Sequence, residues 1–221
     1  NLWETDEGKA VGYSYLRERG FSDAVIKKFN LGYCLNDWQK FTDEAIKSGY
    51  ALDNLVKAGL TKIGENQQYR DFYKGRVMFP IHNLSGKVIG FGGRKLTTQD
   101  NAPKYINTPE SELYQKSKIL YGISQARKAI RAEDHCLLVE GYTDVVSMHQ
   151  GGVENVVASS GTALTVDQIK LIKKFTENII ILYDGDSAGV KAALRGLDMV
   201  LEAGMNLKMV LLPDNEDPDS Y

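Results

Sequence analysis

Four apolar, β-branched runs govern the second half of the chain: Cys136 to Val139, Val153 to Ala158, Ile179 to Tyr183 and Leu207 to Leu212, with helical stretches between them. Near-continuous apolar runs separated by helices are buried on both faces. That is the condition of a parallel sheet joined by right-handed crossovers. Thr165-Val166-Asp167-Gln168 has the form of a helix capping box ahead of an apolar periodic stretch. Residues 133–221 therefore read as an α/β domain.

In open α/β sheets, ligands collect beyond the carboxyl ends of the strands, and here those ends are acidic. The first run ends in Glu140-Gly141, with Asp144 one helical turn on. The third ends in Asp184-Gly185-Asp186, and the fourth ends near Asp214, Glu216, Asp217 and Asp219. Ideally extended, Asp184 and Asp186 point to one face with Cα atoms ~6.5 Å apart. Two carboxylates 4 Å apart in a partly dried cleft repel by roughly 4 kcal/mol at an effective dielectric near 20. A hard divalent ion relieves that repulsion, and Mg²⁺ typically takes one or two carboxylates, waters and substrate phosphates. Helix capping accounts for one acid per strand end, but not for a Glu and two acidic pairs at successive ends. Ser160-Gly161-Thr162, after the second run, reads either as a phosphate cradle at a helix start or as a plain strand-to-helix connection.

Residues 1–132 are organised differently. Tyr13 to Arg19, Ser22 to Phe29, Thr42 to Ser48 and Leu52 to Ala58 carry apolar residues at helical spacing, with Ser22 and Thr42 as N-caps and Gly20, Gly49 and Gly59 as stops. Arg76 to Ile81 and Lys87 to Phe91 read as a hairpin joined at His82 to Gly86, and Leu120 to Ala132 returns to a helical pattern. Phe91-Gly92-Gly93-Arg94 closes the second strand, where adjacent glycines would let a ligand approach the backbone. Pro103-Lys104-Tyr105-Ile106-Asn107-Thr108-Pro109 follows, then Lys116. Lys and Arg neutralise phosphates while a tyrosine face stacks a base.

The formal net charge of −2 argues against a uniformly basic nucleic-acid binder. Its distribution argues otherwise. Residues 70–131 hold twelve Lys and Arg against four acidic residues, and residues 140–221 hold six against thirteen. A basic sector beside an acidic one suits one region for phosphates and another for cations. Two isolated cysteines, Cys34 and Cys136, and three histidines give neither a disulfide framework nor a zinc site. No apolar run approaches the ~20 residues of a membrane span. The absent initiator Met and the acidic, polar last residues suggest a piece of a longer protein.

Leu138-Val139-Glu140-Gly141-Tyr142-Thr143-Asp144 and Tyr183-Asp184-Gly185-Asp186-Ser187-Ala188-Gly189 resemble the two signature motifs of the TOPRIM fold. Gly75-Arg76-Val77-Met78-Phe79-Pro80-Ile81, Ile89-Gly90-Phe91-Gly92-Gly93-Arg94 and Pro103-Lys104-Tyr105-Ile106-Asn107 are similar to motifs of bacterial DnaG-type replicative primases. The resemblance implies an α+β basic subdomain over residues 1–132, contacting template and nucleotide, then a TOPRIM domain over residues 133–221 with a mostly parallel, Rossmann-like sheet. It implies a nucleotidyltransferase, a DNA-directed RNA polymerase that makes short primers for replication. Metal ligands carry over to Glu140, Asp184, Asp186, Asp217 and Asp219, with Asp144 nearby. Template and nucleotide contacts carry over to Arg76, Arg94, Lys104, Tyr105, Asn107 and Lys116. The implied ions are Mg²⁺, or Mn²⁺ in its place, with no zinc in this stretch. The implied partners are single-stranded DNA, ribonucleoside triphosphates and, through segments absent here, a replicative helicase. A monomer in the bacterial cytoplasm at the nucleoid is expected, with no membrane association. The zinc-ribbon module and the C-terminal segments of the family pattern are missing.

The expected chemistry is attack of a primer 3′-hydroxyl on the α-phosphate of a ribonucleoside triphosphate, with Glu140, Asp184 and Asp186 holding two ions ~3.5–4 Å apart. The same acidic set would also serve a TOPRIM nuclease or topoisomerase fragment. A single-strand-binding module with a vestigial metal site is a third reading.

Overall fold

The computed structural model describes residues 2–97, 101–161, 163–183 and 196–211. They divide into two compact units, residues 1–81 with 88–114, and residues 82–87 with 115–221.

The first unit opens with a π-helical segment, Gly8–Tyr13, that runs into α1 (Ser14–Glu18). Helices α2 (Asp23–Lys28), α3 (Lys40–Lys47) and α4 (Leu52–Lys57) follow. Ser22 caps α2 as expected, its hydroxyl accepting from the Val25 amide at 3.4 Å. Thr42 does not cap α3. The helix starts earlier, at Lys40, whose amide donates to Asp37 Oδ1 at 2.9 Å, and its next donors are satisfied from another element: Asp71 accepts from the Phe41 amide at 2.7 Å, the Thr42 amide at 3.0 Å and the Thr42 hydroxyl at 2.6 Å. A cap supplied across 29 positions leaves no local signature, so the nearest threonine takes the assignment in a sequence reading.

The strands of this unit are β1 (Gly32–Cys34), β2 (Thr61–Ile63), β3 (Tyr69–Asp71), β4 (Arg76–His82), β5 (Val88–Lys95) and β6 (Tyr105–Asn107). The expected hairpin is β4 and β5, the centre of a four-stranded sheet ordered β1-β4-β5-β6, while β2 and β3 pair separately. β1 and β6 are only three residues each, too short to show a period in sequence. Leu16, Phe21, Phe29, Val77 and Phe79 are fully buried and give this unit its core.

In the second unit, α5 (Ile123–Glu133) precedes β7 (Cys136–Val139), α6 (Tyr142–Gln150), β8 (Val156–Ala158), α7 (Val166–Lys173), β9 (Asn178–Tyr183) and β10 (Asn206–Leu211), with a further helical stretch over 196–202. The sheet is parallel throughout, in the order β10-β9-β7-β8. The Thr165 capping box forms as read, Gln168 N donating to Thr165 Oγ1 at 3.2 Å and Thr165 N to Gln168 Oε1 at 3.1 Å. The units part after Tyr114, ahead of the boundary expected near residue 133. The reason is packing: Leu120, Ile123, Ala126 and Ile130 share one core with Cys136, Leu138 and Val157. Helical period marks a helix but not the sheet that covers it. Among the described residues no helix is long and apolar enough to cross a membrane.

Candidate functional site

In the second unit, the chain crosses from β7 through α6 to β8 on one side, then from β8 through α7 to β9 on the other side of β7. The crossovers diverge between β7 and β9, so the crevice of this sheet lies at the carboxyl ends of those two strands. Glu140 is the first residue past β7, and the chain leaves β9 at Tyr183. Glu140's backbone carbonyl accepts from Ser160 N at 3.0 Å, and Val139's from Ser159 N at 3.4 Å, which fastens the end of β7 to the end of β8.

Ser160 and Gly161 both have left-handed backbone, φ 54° and 82°. Because the Ser160 amide is committed to Glu140, the turn does not present it to a phosphate. Lys116 belongs to this unit rather than to the basic one. Its ammonium donates to the Gly161 carbonyl at 3.0 Å, which sets a cation at the same end of the sheet as Glu140. Asp144 is buried and its Oδ2 accepts from Gly141 N at 2.8 Å. This is the capping role, closing the first turn of α6.

The expected ligands Asp184, Asp186, Asp217 and Asp219 lie outside the described residues, as does Thr162. Among the described residues no group of three or more His, Cys, Asp or Glu is assembled for a metal ion. The donor chemistry still fits a hard ion: Glu140 stands at the switch point and the sequence leaving β9 adds the oxygen donors Asp184, Asp186 and Ser187. The two cysteines add nothing, since burial pushes the Cys34 thiol up to about 12, helped by the Asp71 and Glu7 carboxylates, and raises that of fully buried Cys136 as well.

In the first unit, register does the assembling. Arg94 on β5 is the cross-strand partner of Tyr105 on β6, and Gly92 that of Asn107. The Arg94 guanidinium carbon lies 4.7 Å from the Tyr15 ring centroid and 5.8 Å from that of Tyr105. Among the described residues, buried Arg94 Nε and Nη1 find no hydrogen-bond partner. A buried donor left unmade costs about 1–3 kcal/mol, so a guanidinium beside two rings with unused donors has the chemistry to take an anion.

Arg76 has the opposite environment. It is 6% exposed, and its guanidinium donates to the carbonyls of Gly93 at 3.0 Å, Lys104 at 3.2 Å and Pro103 at 3.0 Å. It clamps β5 to the segment entering β6, so its geometry is that of a positioning residue for Lys104 and Tyr105. Gly93 of the Gly-Gly-Arg run serves packing: a Cβ there would lie 2.6 Å from Tyr73 Cδ1.

One feature escaped the sequence reading. Trp38 is 54% exposed, with the Lys74 ammonium 3.9 Å and the Arg70 guanidinium 5.2 Å from its ring centroid. Lys62 sits over Phe72 at 4.3 Å. Two cavities of about 550 and 780 Å³ share Trp38, Phe72 and Ile106 in their walls, and the first also reaches Lys74, Arg76 and Lys95. Aromatic faces flanked by cations suit stacked bases between phosphates. The signal was present in Tyr69-Arg70-Asp71-Phe72-Tyr73-Lys74, where cations and aromatics interleave.

Residues 1–127 match the family described as the DNA primase catalytic core, N-terminal domain, and residues 137–221 match the Toprim-like family. The DNA primase of Clostridium acetobutylicum is 43% identical over 94% of the chain, and that of Halalkalibacterium halodurans 43% identical over 100%. The chain spans 34% and 36% of those two proteins. Among solved structures, the RNA polymerase domain of Mycobacterium tuberculosis primase DnaG matches with a TM-score of 0.90 and 34% identity, covering 99% of this chain and 72% of that one. The E. coli primase catalytic core matches at 0.86 and 39%, covering 96% and 68%. A DnaG primase catalytic domain bound to single-stranded DNA matches at 0.86 and 37%, covering 98% and 70%.

Proposed function

This chain belongs to the DNA primase catalytic-core family, with a Toprim-like second half, and from that premise we propose that it is the polymerising core of a DNA-templated RNA polymerase that lays down short primers. The observation that carries the proposal is Arg94: a guanidinium with unused buried donors between two tyrosine rings, within the unit that also bears the Trp38 platform.

In this reading the first unit holds single-stranded template. Arg94 takes a phosphate, Tyr105 and Trp38 offer faces to bases, and Lys104 and Asn107 contact the template or the incoming nucleotide. Arg76 fixes the segment on which Lys104 and Tyr105 ride. The second unit hosts the transfer at the carboxyl ends of β7 and β9. Glu140, Asp184 and Asp186 hold divalent ions, with Asp217 and Asp219 completing the acidic set. Asp144 keeps the turn that presents Glu140 in shape. Both families use divalent metals, and Mg²⁺, or Mn²⁺ in its place, would supply activation of the primer 3′-hydroxyl and charge relief at the departing pyrophosphate. Lys116 balances triphosphate charge at that end of the sheet. Ribonucleoside triphosphates are the substrates and a replicative helicase the partner, in the bacterial cytoplasm at the nucleoid.

Primer extension on a single-stranded template with Mg²⁺ and labelled ribonucleotides tests this. Glu140→Gln and Asp184→Asn should abolish extension while leaving template binding intact. Intact metal-dependent extension by Asp184→Asn would overturn the assignment.

A further inference from the structure

The second unit carries another basic surface, away from Glu140. Arg127, Lys128 and Arg131 of α5 line a cavity of about 570 Å³ together with Leu84 and Phe175. The Arg131 guanidinium stacks 5.0 Å from the Phe175 ring centroid. Arg127 Nη1 donates to the Leu84 carbonyl at 2.6 Å. These contacts fix two of the cations without cancelling their charge. Lys128 is exposed, and among the described residues none of the three forms an ion pair.

Like charges at i,i+4 and i,i+3 on one helix each oppose helix formation by about 0.2–0.5 kcal/mol. Arg127 with Arg131, and Lys128 with Arg131, are two such pairs, so the helix alone gains nothing from this arrangement. An anion bound between them would offset the repulsion. The lining contains no carboxylate, and Phe175 gives it an aromatic wall.

Its position says which anion. α5 leads into the amino end of β7, and α7 leads through Phe175 into the amino end of β9, whereas Glu140 follows the carboxyl end of β7. Four strand residues at ~3.3 Å each separate those ends by about 13 Å. A strand running from that site toward the amino ends covers this length in about four nucleotides at ~3.4 Å of helix axis each.

We propose that Arg127, Lys128 and Arg131 hold the sugar–phosphate backbone of a nucleic-acid strand some four nucleotides away from the reacting end. The proposal rests on the polymerase reading for the identity of the polyanion. The shared chemistry is a run of phosphates, from the single-stranded template or from the RNA–DNA product duplex.

The test is equilibrium binding to the whole protein, with no nucleotide or metal added, of fluorescent single strands and RNA–DNA duplexes that are about four or about twenty nucleotides long. Lys128→Glu combined with Arg131→Glu should weaken the long ligand about tenfold or more and flatten its salt slope by about 1.4 for single strands or 1.8 for duplex, two phosphate contacts' worth. The form that loses affinity identifies the source. Short ligands should bind unchanged, and Lys128→Arg with Arg131→Lys should retain the wild-type values. Unchanged affinity and slope for both long ligands, or an equal loss for short and long ones, would overturn the proposal. A photocrosslinker on Lys128→Cys, placed selectively because Cys136 is buried, Cys34 half-buried and both thiols resist deprotonation, keeps the test independent of charge-reversal damage. Crosslinks to long strands only are expected, and their absence would overturn the site. A failed primer-extension assay would sink the polymerase reading while leaving these binding outcomes readable.

Discussion

The antiparallel unit and the parallel unit present the chemistry proposed for them in different places. In the parallel unit it sits past the ends of strands, where the crossover pattern decides what meets. In the antiparallel unit it sits on the strands themselves, where cross-strand neighbours decide. Arg76 and Arg94 show what this means. Both are arginines of adjacent strands, β4 and β5, and both occur in motifs that read as phosphate contacts. One is saturated by three carbonyls and the other keeps buried donors unused. The residue type does not predict the role, because the role depends on which backbone the register brings opposite.

The hardest way to break this contrast is to remove Arg76. Arg76→Met should cost about 3 kcal/mol or more, since hydrogen bonds to charged groups are worth about 1.5–3 kcal/mol each and the Gly93 carbonyl would lose a buried partner. Urea unfolding measures it. A loss below about 1 kcal/mol together with lost template binding would make Arg76 a ligand contact instead. Next in size is Gly93→Ala. Its Cβ would press on the Tyr73 ring at 2.6 Å and Arg76 Cδ at 3.1 Å, and overpacking of this kind costs about 1–3 kcal/mol. An unaffected melting curve would show that the clamp tolerates slack.

Arg94→Ala should behave inversely. Template binding should fall about tenfold, equivalent to ~1.4 kcal/mol, while stability changes by about 1 kcal/mol or less, because the lost ring contacts, ~0.5–1 kcal/mol each, are offset by removal of two buried donors that make no protein hydrogen bond. Fluorescence anisotropy against a labelled single strand, beside the urea curve of the same variant, separates the two. Loss of stability with full binding would merge Arg94 with Arg76 and erase the comparison.

Legibility followed the same division. The parallel strands were readable because double-sided burial writes itself as continuous apolar runs, and the Glu140 strand end could be named before any coordinates. The hairpin β4–β5 was readable from its period. β1, β6 and the Asp71 cap of α3 were not, because three-residue strands carry no period and a cap delivered from β3 has no local sequence trace. Trp38 was missed because its cations lie some thirty positions away, and Lys116 was grouped with the wrong unit because charge counted along the chain ignores which core a segment joins. The compact units part after Tyr114 rather than near 133 for a related reason: α5 is amphipathic wherever it packs.

The smallest effect concerns a place where sequence and structure agree, and it asks how far a local motif reaches. Thr165 Oγ1 accepts from Gln168 N and also donates to the Ser117 carbonyl at 2.5 Å, while Gln168 Nε2 donates to the Ile119 carbonyl at 2.8 Å. The box therefore caps α7 and ties down the segment that carries Lys116. Loss of an N-cap costs about 1 kcal/mol, so Thr165→Ala should lower stability by about that amount and Thr165→Ser should restore it. Gln168 is fully buried, so Gln168→Ala leaves the Ile119 carbonyl unpaired as well and should cost more than the cap alone. If the two variants proved equal in urea unfolding, the tether would contribute nothing, and Lys116 would owe its place beside Gly161 to its own hydrogen bond.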